Sequence, residues 1–456
     1  MFAESPAPAR HNQPSHLFYQ SRLRRPPIDR AEGIHMWDVS GRRYIDGSSG
    51  AMVVNLGHSN RRVLDAMKAQ MDRVTFAYRL HFENDPAEDL ARDLAAVMPD
   101  RLDKVFFVSG GSEAVESCLK MARQYALATG EGSRYKVISR FPSYHGGTLG
   151  ALAVTGYAPM TAPFAPMMRE MPKIPAPTAY RDRDALTMEE RGLRYADLLE
   201  EEIVRQGPET VLAFIMEPVG GASTGALVAP DSYYPRIREI CDRHGILLIY
   251  DEVMSGAGRT GRFLAAEHWG VTPDLVALSK GFAAGYSPLG AMVAPDWMVE
   301  PVLDKGGFIH GHTYAGNPLA CAAGRAVLSE VLERDLTGNA ARMGEHLMTR
   351  LRELMEAFPF IGDVRGKGLL TAFEMVSDRD SFAVLDPALN AHQRLVDLAY
   401  DRGLIVYSRR TRGGLSGDHV LVCPPLIVTA EEIDEIVSIL RDSLSALAVK
   451  LDLPRR

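Results

Sequence analysis

Between residues 104 and 278, short apolar runs alternate with longer stretches of helical period. The pattern predicts strands at Lys104–Val108, Tyr135–Ser139, Val211–Met216, Ile246–Tyr250 and Leu275–Leu278, with a helix at Glu113–Ala128 between the first two. Apolar runs without polar interruption are characteristic of strands covered on both faces by crossover helices. The middle of the chain is therefore expected to be α/β with a mainly parallel sheet. After about Val331 the texture changes. Leu328–Phe358 reads as one long helix, and Gly368–Met375 and Val420–Val422 read as strands. Thr429-Ala430-Glu431-Glu432 forms a capping box ahead of a last helix with Ile433, Ile436, Ile439 and Leu440 on one face. Met36-Trp37-Asp38 and Arg43-Tyr44-Ile45-Asp46 read as hairpin strands that join this smaller α+β part. The expected division is a small domain built from residues 1–60 and 332–456 around a large domain at 61–331.

Composition narrows the class. The 456 residues are 46% hydrophobic and 24% charged, which excludes a disordered chain or a fibre. The net charge is -7 and basic residues are spread along the chain, so no nucleic-acid face is expected; the Arg-Pro-rich stretch Arg22–Arg30 is too short to change that. The four cysteines form no C-x-x-C pair, which argues against a zinc site or a disulfide framework, and no metal is expected. Met1–Gln20 is polar, without the apolar core of a secretion signal, and the longest apolar runs fall far short of the roughly 20 residues a membrane span needs. A cytoplasmic protein without a membrane partner is the expectation.

Three features lie at the carboxyl ends of predicted strands, where open α/β sheets bind their ligands. In Phe106-Phe107-Val108-Ser109-Gly110-Gly111-Ser112-Glu113 a strand turns through glycines into a helix, whose free N–H groups suit a phosphate. The same string is also readable as a plain helix start with Ser112 as N-cap. Tyr250-Asp251-Glu252-Val253 places two carboxylates after an apolar strand, readable as loop acids, a magnesium ligand or a partner for a buried cation. Ser279-Lys280-Gly281 places a lysine at the end of another; desolvation there would make it a nucleophile and proton carrier.

Asp251 and Lys280 are 29 residues apart (280 − 251), the length of one strand–crossover–strand unit, so both can reach one crevice. A phosphate cradle, a carboxylate and a lysine together are what pyridoxal phosphate requires: a Schiff-base lysine, an acid on the pyridine nitrogen and a helix end for the phosphate. A nucleotide-binding module using Ser109–Ser112 is the rival from another class, but it gives Asp251 and Lys280 no shared task.

These residues resemble those of the class III (ω-type) aminotransferases, a fold-type I pyridoxal-phosphate family. The matches run in order through Asp46-Gly47, Asn55-Leu56-Gly57-His58, Ser109 to Ala114, Tyr144-His145-Gly146, Glu217-Pro218, Asp251-Glu252-Val253, Gly258-Arg259-Thr260-Gly261, Ser279-Lys280-Gly281, His312 to Pro318, Val364 to Gly368 and Cys423-Pro424-Pro425-Leu426. The resemblance implies that Lys280 forms the Schiff base, Asp251 pairs with the pyridinium, Gly111 and Ser112 hold the phosphate, and Glu217 borders the cofactor. Tyr144 would stack on one ring face, with Val253 on the other. Thr313 would reach the phosphate of a neighbouring subunit, making a homodimer, or a tetramer of paired dimers, the working assembly.

The departures from the family point to a branch. Met254, Ala222 and Leu421 stand where the ornithine-like branch has a glutamine, a gating glutamate and a carboxylate-binding arginine. The pattern is similar to the branch that moves an amino group from an amine or ω-amino acid to an α-keto acid such as pyruvate, in two half-reactions. In that branch a mobile arginine serves the carboxylate. Arg412, in the Gly-rich stretch Arg409–Asp418, is the expected residue and Arg410 the runner-up. Met52, where many members have tryptophan, is expected to line the amine pocket. A decarboxylase or racemase of the same fold is the alternative activity, and a non-catalytic relative is disfavoured by the intact Lys280.

Overall fold

The apolar runs between residues 104 and 278 do form strands of one sheet in the computed structural model, which describes residues 15–99 and 101–454. Residues 1–14 of the polar leading stretch lie outside the described residues. The seven strands lie in the spatial order Lys104–Val108, Gly290–Ala294, Leu275–Leu278, Leu247–Asp251, Val211–Met216, Lys136–Phe141 and Lys173–Pro175. All run parallel except Gly290–Ala294, which is antiparallel to both neighbours. That strand and Lys173–Pro175 are additions to the sequence expectation. Alternation along each strand feeds two cores: Phe214, Leu248, Tyr250 and Val276 on one face, Ala213, Ile215, Ile249 and Ala277 on the other. With both faces covered, the strand ends are the sheet's outlet for polar side chains.

The last part of the chain builds an antiparallel sheet in the order Ile361–Lys367, Leu370–Asp378, Ser416–Val422 and Tyr407–Arg412. Tyr407–Arg412 is thus an edge strand rather than the Gly-rich loop expected from sequence. Phe373, Met375, Val420 and Val422 point into a core with the closing helices, while Leu370, Ala372 and Leu421 point the other way, toward the large sheet. The N-terminal hairpin His35–Asp38 and Arg43–Asp46 gains Ile28–Glu32 on one side and, in parallel, Leu404–Ile405 on the other. The two ends of the chain therefore share a sheet.

The expected single helix over Leu328–Phe358 is two, Pro318–Glu333 and Leu336–Ala357. The break is at Asp335, which takes a left-handed conformation (φ 49°) and whose carboxylate accepts a hydrogen bond from the Gly338 N–H. The capping box forms as expected: Thr429 Oγ1 accepts from the Glu432 N–H, and Glu432 Oε2 accepts from the Thr429 N–H, opening the helix Ala430–Leu451. No helix among the described residues is long and apolar enough to cross a membrane.

One buried guanidinium joins the ends of the chain to the large sheet. Arg259 is fully buried and donates to Asn55 Oδ1 (2.7 Å), Ser49 Oγ (3.2 Å) and the Pro424 carbonyl (2.6 Å). Burial among these neutral oxygens pulls its pKa down to about 10. Asn55 in turn donates to the Ala257 carbonyl and leaves no room for a side chain at Gly281, where a Cβ would lie 2.2 Å from Asn55 Nδ2.

Helix Leu336–Ala357 seats on the Gly368 turn through Gly344, where a Cβ would come within 2.3 Å of the Gly368 carbonyl carbon and oxygen. Overpacking of this kind costs about 1–3 kcal/mol. Gly344→Ala is therefore expected to lower the calorimetric melting temperature; an unchanged value would show that the turn yields freely.

Candidate active site

Parallel pairing sets the frame. Strands Leu247–Asp251 and Leu275–Leu278 are neighbours with Asp251 opposite Ala277, so Asp251 ends one strand and Lys280 follows two residues after the end of the next. The first strand, Lys104–Val108, delivers Ser109 and Gly110 to helix Gly111–Ala128. Between these strand ends lies a cavity of about 340 Å³, within the range of small-molecule sites. Gly111, Ser112, Tyr144, Glu217, Asp251, Val253, Lys280 and Met52 all line it. Thr313 and Arg412 do not.

At one end is the helix start. Gly110, not Ser112, is the N-cap, and having no side chain it leaves the first-turn N–H groups uncapped by a side chain. Ser112 sits inside the first turn, and its hydroxyl accepts from the Gly147 N–H at 2.9 Å. Val253 packs so closely that a Cβ on Gly111 would lie 2.8 Å from its Cγ1. Uncapped N–H groups at the positive end of an 18-residue helix open on the cavity and suit an anion such as phosphate.

At the other end the two acids take separate paths. Glu252 turns away from the cavity, is buried, and accepts from the Ser255 hydroxyl and the Ala266 N–H; burial pushes its pKa up to about 7. Asp251 faces the cavity. Its Oδ2 meets Nδ1 of the buried His145 at 2.8 Å, and its Oδ1 accepts from the Val253 N–H at 3.1 Å. His145 Nε2 has no partner among the described residues. Glu217 spans the walls, accepting from the Gly221 N–H (2.9 Å) and the Tyr144 N–H (3.4 Å), and burial raises its pKa against the pull of His145 and Arg140. Burial likewise lowers the pKa of Lys280, while Asp251 and Glu217 oppose the shift. Lys280 also adopts a left-handed backbone (φ 49°), the kind of local strain that concentrates at functional sites. A lysine of lowered pKa, an acid oriented by histidine and an anion cradle match the aldehyde, ring nitrogen and phosphate of pyridoxal phosphate.

Ala51, Met52, Met160, Ala222 and Met254 give the cavity an apolar side. Met52, Ala222, Met254 and Leu421 pack into one cluster with Tyr407 and Cys423, so the three departures from the ornithine-like pattern meet in space. Cross-strand register fixes the cations. Ala372, Leu421 and Tyr407 form one row of the antiparallel sheet, and Glu374, His419 and Arg409 form the next. Alternation turns Arg409 to the cavity and Arg410 and Arg412 to the opposite face. Arg412 is exposed and donates to the Phe382 carbonyl at 2.8 Å, and Arg410 pairs with Asp418 at 2.9 Å. The expected Arg412 is not among the residues that line the cavity, and the arginine on its wall is therefore Arg409. Its Cζ lies 4.6 Å from the centre of the Tyr407 ring, and no carboxylate among the described residues pairs with it. Only the pairing of Tyr407–Arg412 with Ser416–Val422 distinguishes the three arginines. His145 was present in a matched string, but its contact with Asp251 has no signature in the sequence.

Comparison with known proteins agrees with this geometry. The family model for Aminotransferase class-III matches residues 19–444. The chain is 39% identical to the uncharacterized aminotransferase YodT of Bacillus subtilis, over 93% of this chain and 96% of that protein. It is 33% identical to a putrescine–pyruvate aminotransferase of Pseudomonas aeruginosa, over 92% and 91%. Among solved structures, an (S)-enantioselective omega-transaminase from Thermomicrobium roseum superposes with a TM-score of 0.89 at 37% identity, over 95% and 96% of the two chains. A pyridoxal-phosphate-bound amine transaminase from an uncultivated Pseudomonas species gives 0.89 at 36%, over 96% and 100%. Strand ends, helix start and a match over nearly the whole chain thus lead to one conclusion: the chain belongs to the class III aminotransferases and is a pyridoxal-phosphate-dependent transaminase of fold type I.

Proposed function

We propose that this transaminase moves an amino group from an amine or ω-amino acid to a small α-keto acid, with pyruvate as the acceptor, in two half-reactions at one site. The observation that carries the reading is the pairing of an apolar wall with an arginine that no carboxylate among the described residues neutralises. Met52, Ala222 and Met254, with Leu421 packed behind them, offer no fixed receptor for a second carboxylate, whereas Arg409 stands on an edge strand at the cavity wall without a carboxylate partner among the described residues. A guanidinium resting on an aromatic face can swing toward a carboxylate and withdraw when the substrate has none. The relatives named as putrescine–pyruvate aminotransferase and omega-transaminase support the same substrate class.

When bound, pyridoxal phosphate supplies an aldehyde that captures amines and a ring that takes up the electron pair left by a departing proton. The chain's own groups do the rest. The uncapped first turn at Gly111 and Ser112 binds the phosphate. Tyr144 and Val253 hold the ring between them. Asp251, oriented by His145 Nδ1, keeps a proton on the ring nitrogen. Lys280 would hold the aldehyde, and its Nζ, once a donor amine took its place, would carry the proton between the donor's α-carbon and the cofactor. The lowered pKa of Lys280 keeps that amine available as a base. Arg409 receives the keto acid's carboxylate, and the same steps run in reverse.

The working unit is a homodimer. Thr313 is exposed and away from its own cavity, and Phe76, Leu80, Phe82, Ile309 and Tyr314 expose apolar surface on the same segments, with Phe76 and Tyr314 in edge contact at 5.8 Å. Thr313 from a second copy completes the phosphate cradle.

Two outcomes test this reading. Losing a hydrogen bond to a charged group costs about 1.5–3 kcal/mol, so Arg409→Leu should raise KM for pyruvate at least about tenfold. KM for 1-phenylethylamine should stay near the parent value. Equal effects on both substrates, or none, would contradict the assignment, and a donor panel of putrescine, β-alanine and 1-phenylethylamine with pyruvate ranks the amines. Light scattering should show a dimer or a multiple of it, and Thr313→Ala should release pyridoxal phosphate more readily from an intact dimer. A fully active monomer would refute the shared site.

A further inference from the structure

We propose that Glu374 is a positioning residue for carboxylate substrates: it ties the strand carrying Arg409 to the Ala222–Ser223 wall of the cavity. The inference rests on the assignment of Arg409 as the carboxylate's partner. Glu374 lies in the same cross-strand row as Arg409, with His419 between them, but is fully buried and does not line the cavity.

Its carboxylate collects four donor residues from three segments of the chain. Oε2 accepts from the Tyr180 hydroxyl (2.8 Å) and from Arg365 Nη2 (2.9 Å). Oε1 accepts from Arg181 Nη2 (2.8 Å) and from Thr411 Oγ1 (3.1 Å). Burial alone would raise its pKa, yet the Arg365 and Arg181 guanidiniums hold it down to about 2, so it is charged throughout the working pH range. Asp363, 2.8 Å from Arg365 Nη1, supplies the second negative charge that balances the two arginines.

Two of these donors lead to the cavity. Thr411 is two residues beyond Arg409 on the same face of the edge strand, and Arg181 Nη2 also donates to its hydroxyl at 2.6 Å. Arg365 Nη2 also donates to the carbonyl of Thr224, next to Ser223 on the cavity wall. Gly225 (φ +63°) lets this loop lie against Arg365 and His419; a Cβ there would meet each of them at 2.8 Å. An edge strand with one free side would otherwise drift relative to the loop that faces it. A buried ion cluster is a poor source of net stability, and what this one fixes is the distance from Arg409 to the apolar wall.

The test follows each half-reaction separately by the visible absorption of the holoenzyme, in Thr411→Val, Thr411→Ser, Glu374→Gln and Arg409→Leu. In Thr411→Val the second-order rate constant with pyruvate should fall about tenfold, the order that a small misplacement of a binding group costs, while that with 1-phenylethylamine stays within about twofold. Thr411→Ser should restore the pyruvate rate, and Glu374→Gln, if folded, should show the larger selective loss. Equal loss in both half-reactions, or a lowered melting temperature without selectivity, would overturn the inference. If Arg409→Leu leaves the pyruvate rate unchanged, the substrate assignment fails. If Arg409→Leu impairs it and Thr411→Val does not, only the role of Glu374 fails.

Discussion

Two opposite charges delivered by adjacent parallel strands organise this protein. Asp251 and Lys280 emerge at one end of a sheet covered on both faces, where neither could be stabilised without a partner. Their strands are neighbours, so both groups enter the same crevice. The surroundings bias both: His145 meets the Asp251 carboxylate at the cavity, and burial keeps Lys280 below the usual range for a lysine. A cofactor with a basic ring nitrogen and an aldehyde answers both groups at once, and the uncapped helix at Gly110 answers its phosphate.

The rest of the fold serves to close this crevice from the side. Arg259 gathers Ser49, Asn55 and Pro424 from the two ends of the chain onto the segment just after Asp251. The loop it holds carries Ser49 and Met52 in left-handed conformations and presents Met52 to the cavity. The carboxylate of Asp46 accepts the N–H groups of Ser48 and Gly50 and so supports the same turn. The C-terminal sheet has one face in its own core and the other on the active site, so its register decides which side chains meet substrate. Matched strings as distant as Asp46, Arg259 and Cys423 are thus parts of one joint rather than separate sites.

Much of this was legible along the chain. Uninterrupted apolar runs fixed five strands of the large sheet, and the residues after them carried Asp251, Lys280 and the helix start. The capping box at Thr429 likewise has a purely local signature. What stayed hidden depends on partners far away in sequence. The helix break at Asp335 lies inside an apolar period that continues on both sides. Tyr407–Arg412 is disguised by three arginines, and which of them faces the cavity is decided by pairing with Ser416–Val422. Strand Gly290–Ala294 resembles its parallel neighbours in composition although it runs the other way. The hydrogen bonds that converge on Glu374 come from Tyr180, Arg181, Arg365 and Thr411, and no local pattern connects them.

The proposed mechanism requires that Lys280 carry the cofactor. Borohydride reduction of the holoenzyme, followed by proteolysis and mass spectrometry, tests it most directly. A pyridoxyl group is expected on the peptide containing Lys280 and on no other lysine. A tag on a different lysine, or cofactor-loaded protein without any tagged peptide, would contradict it.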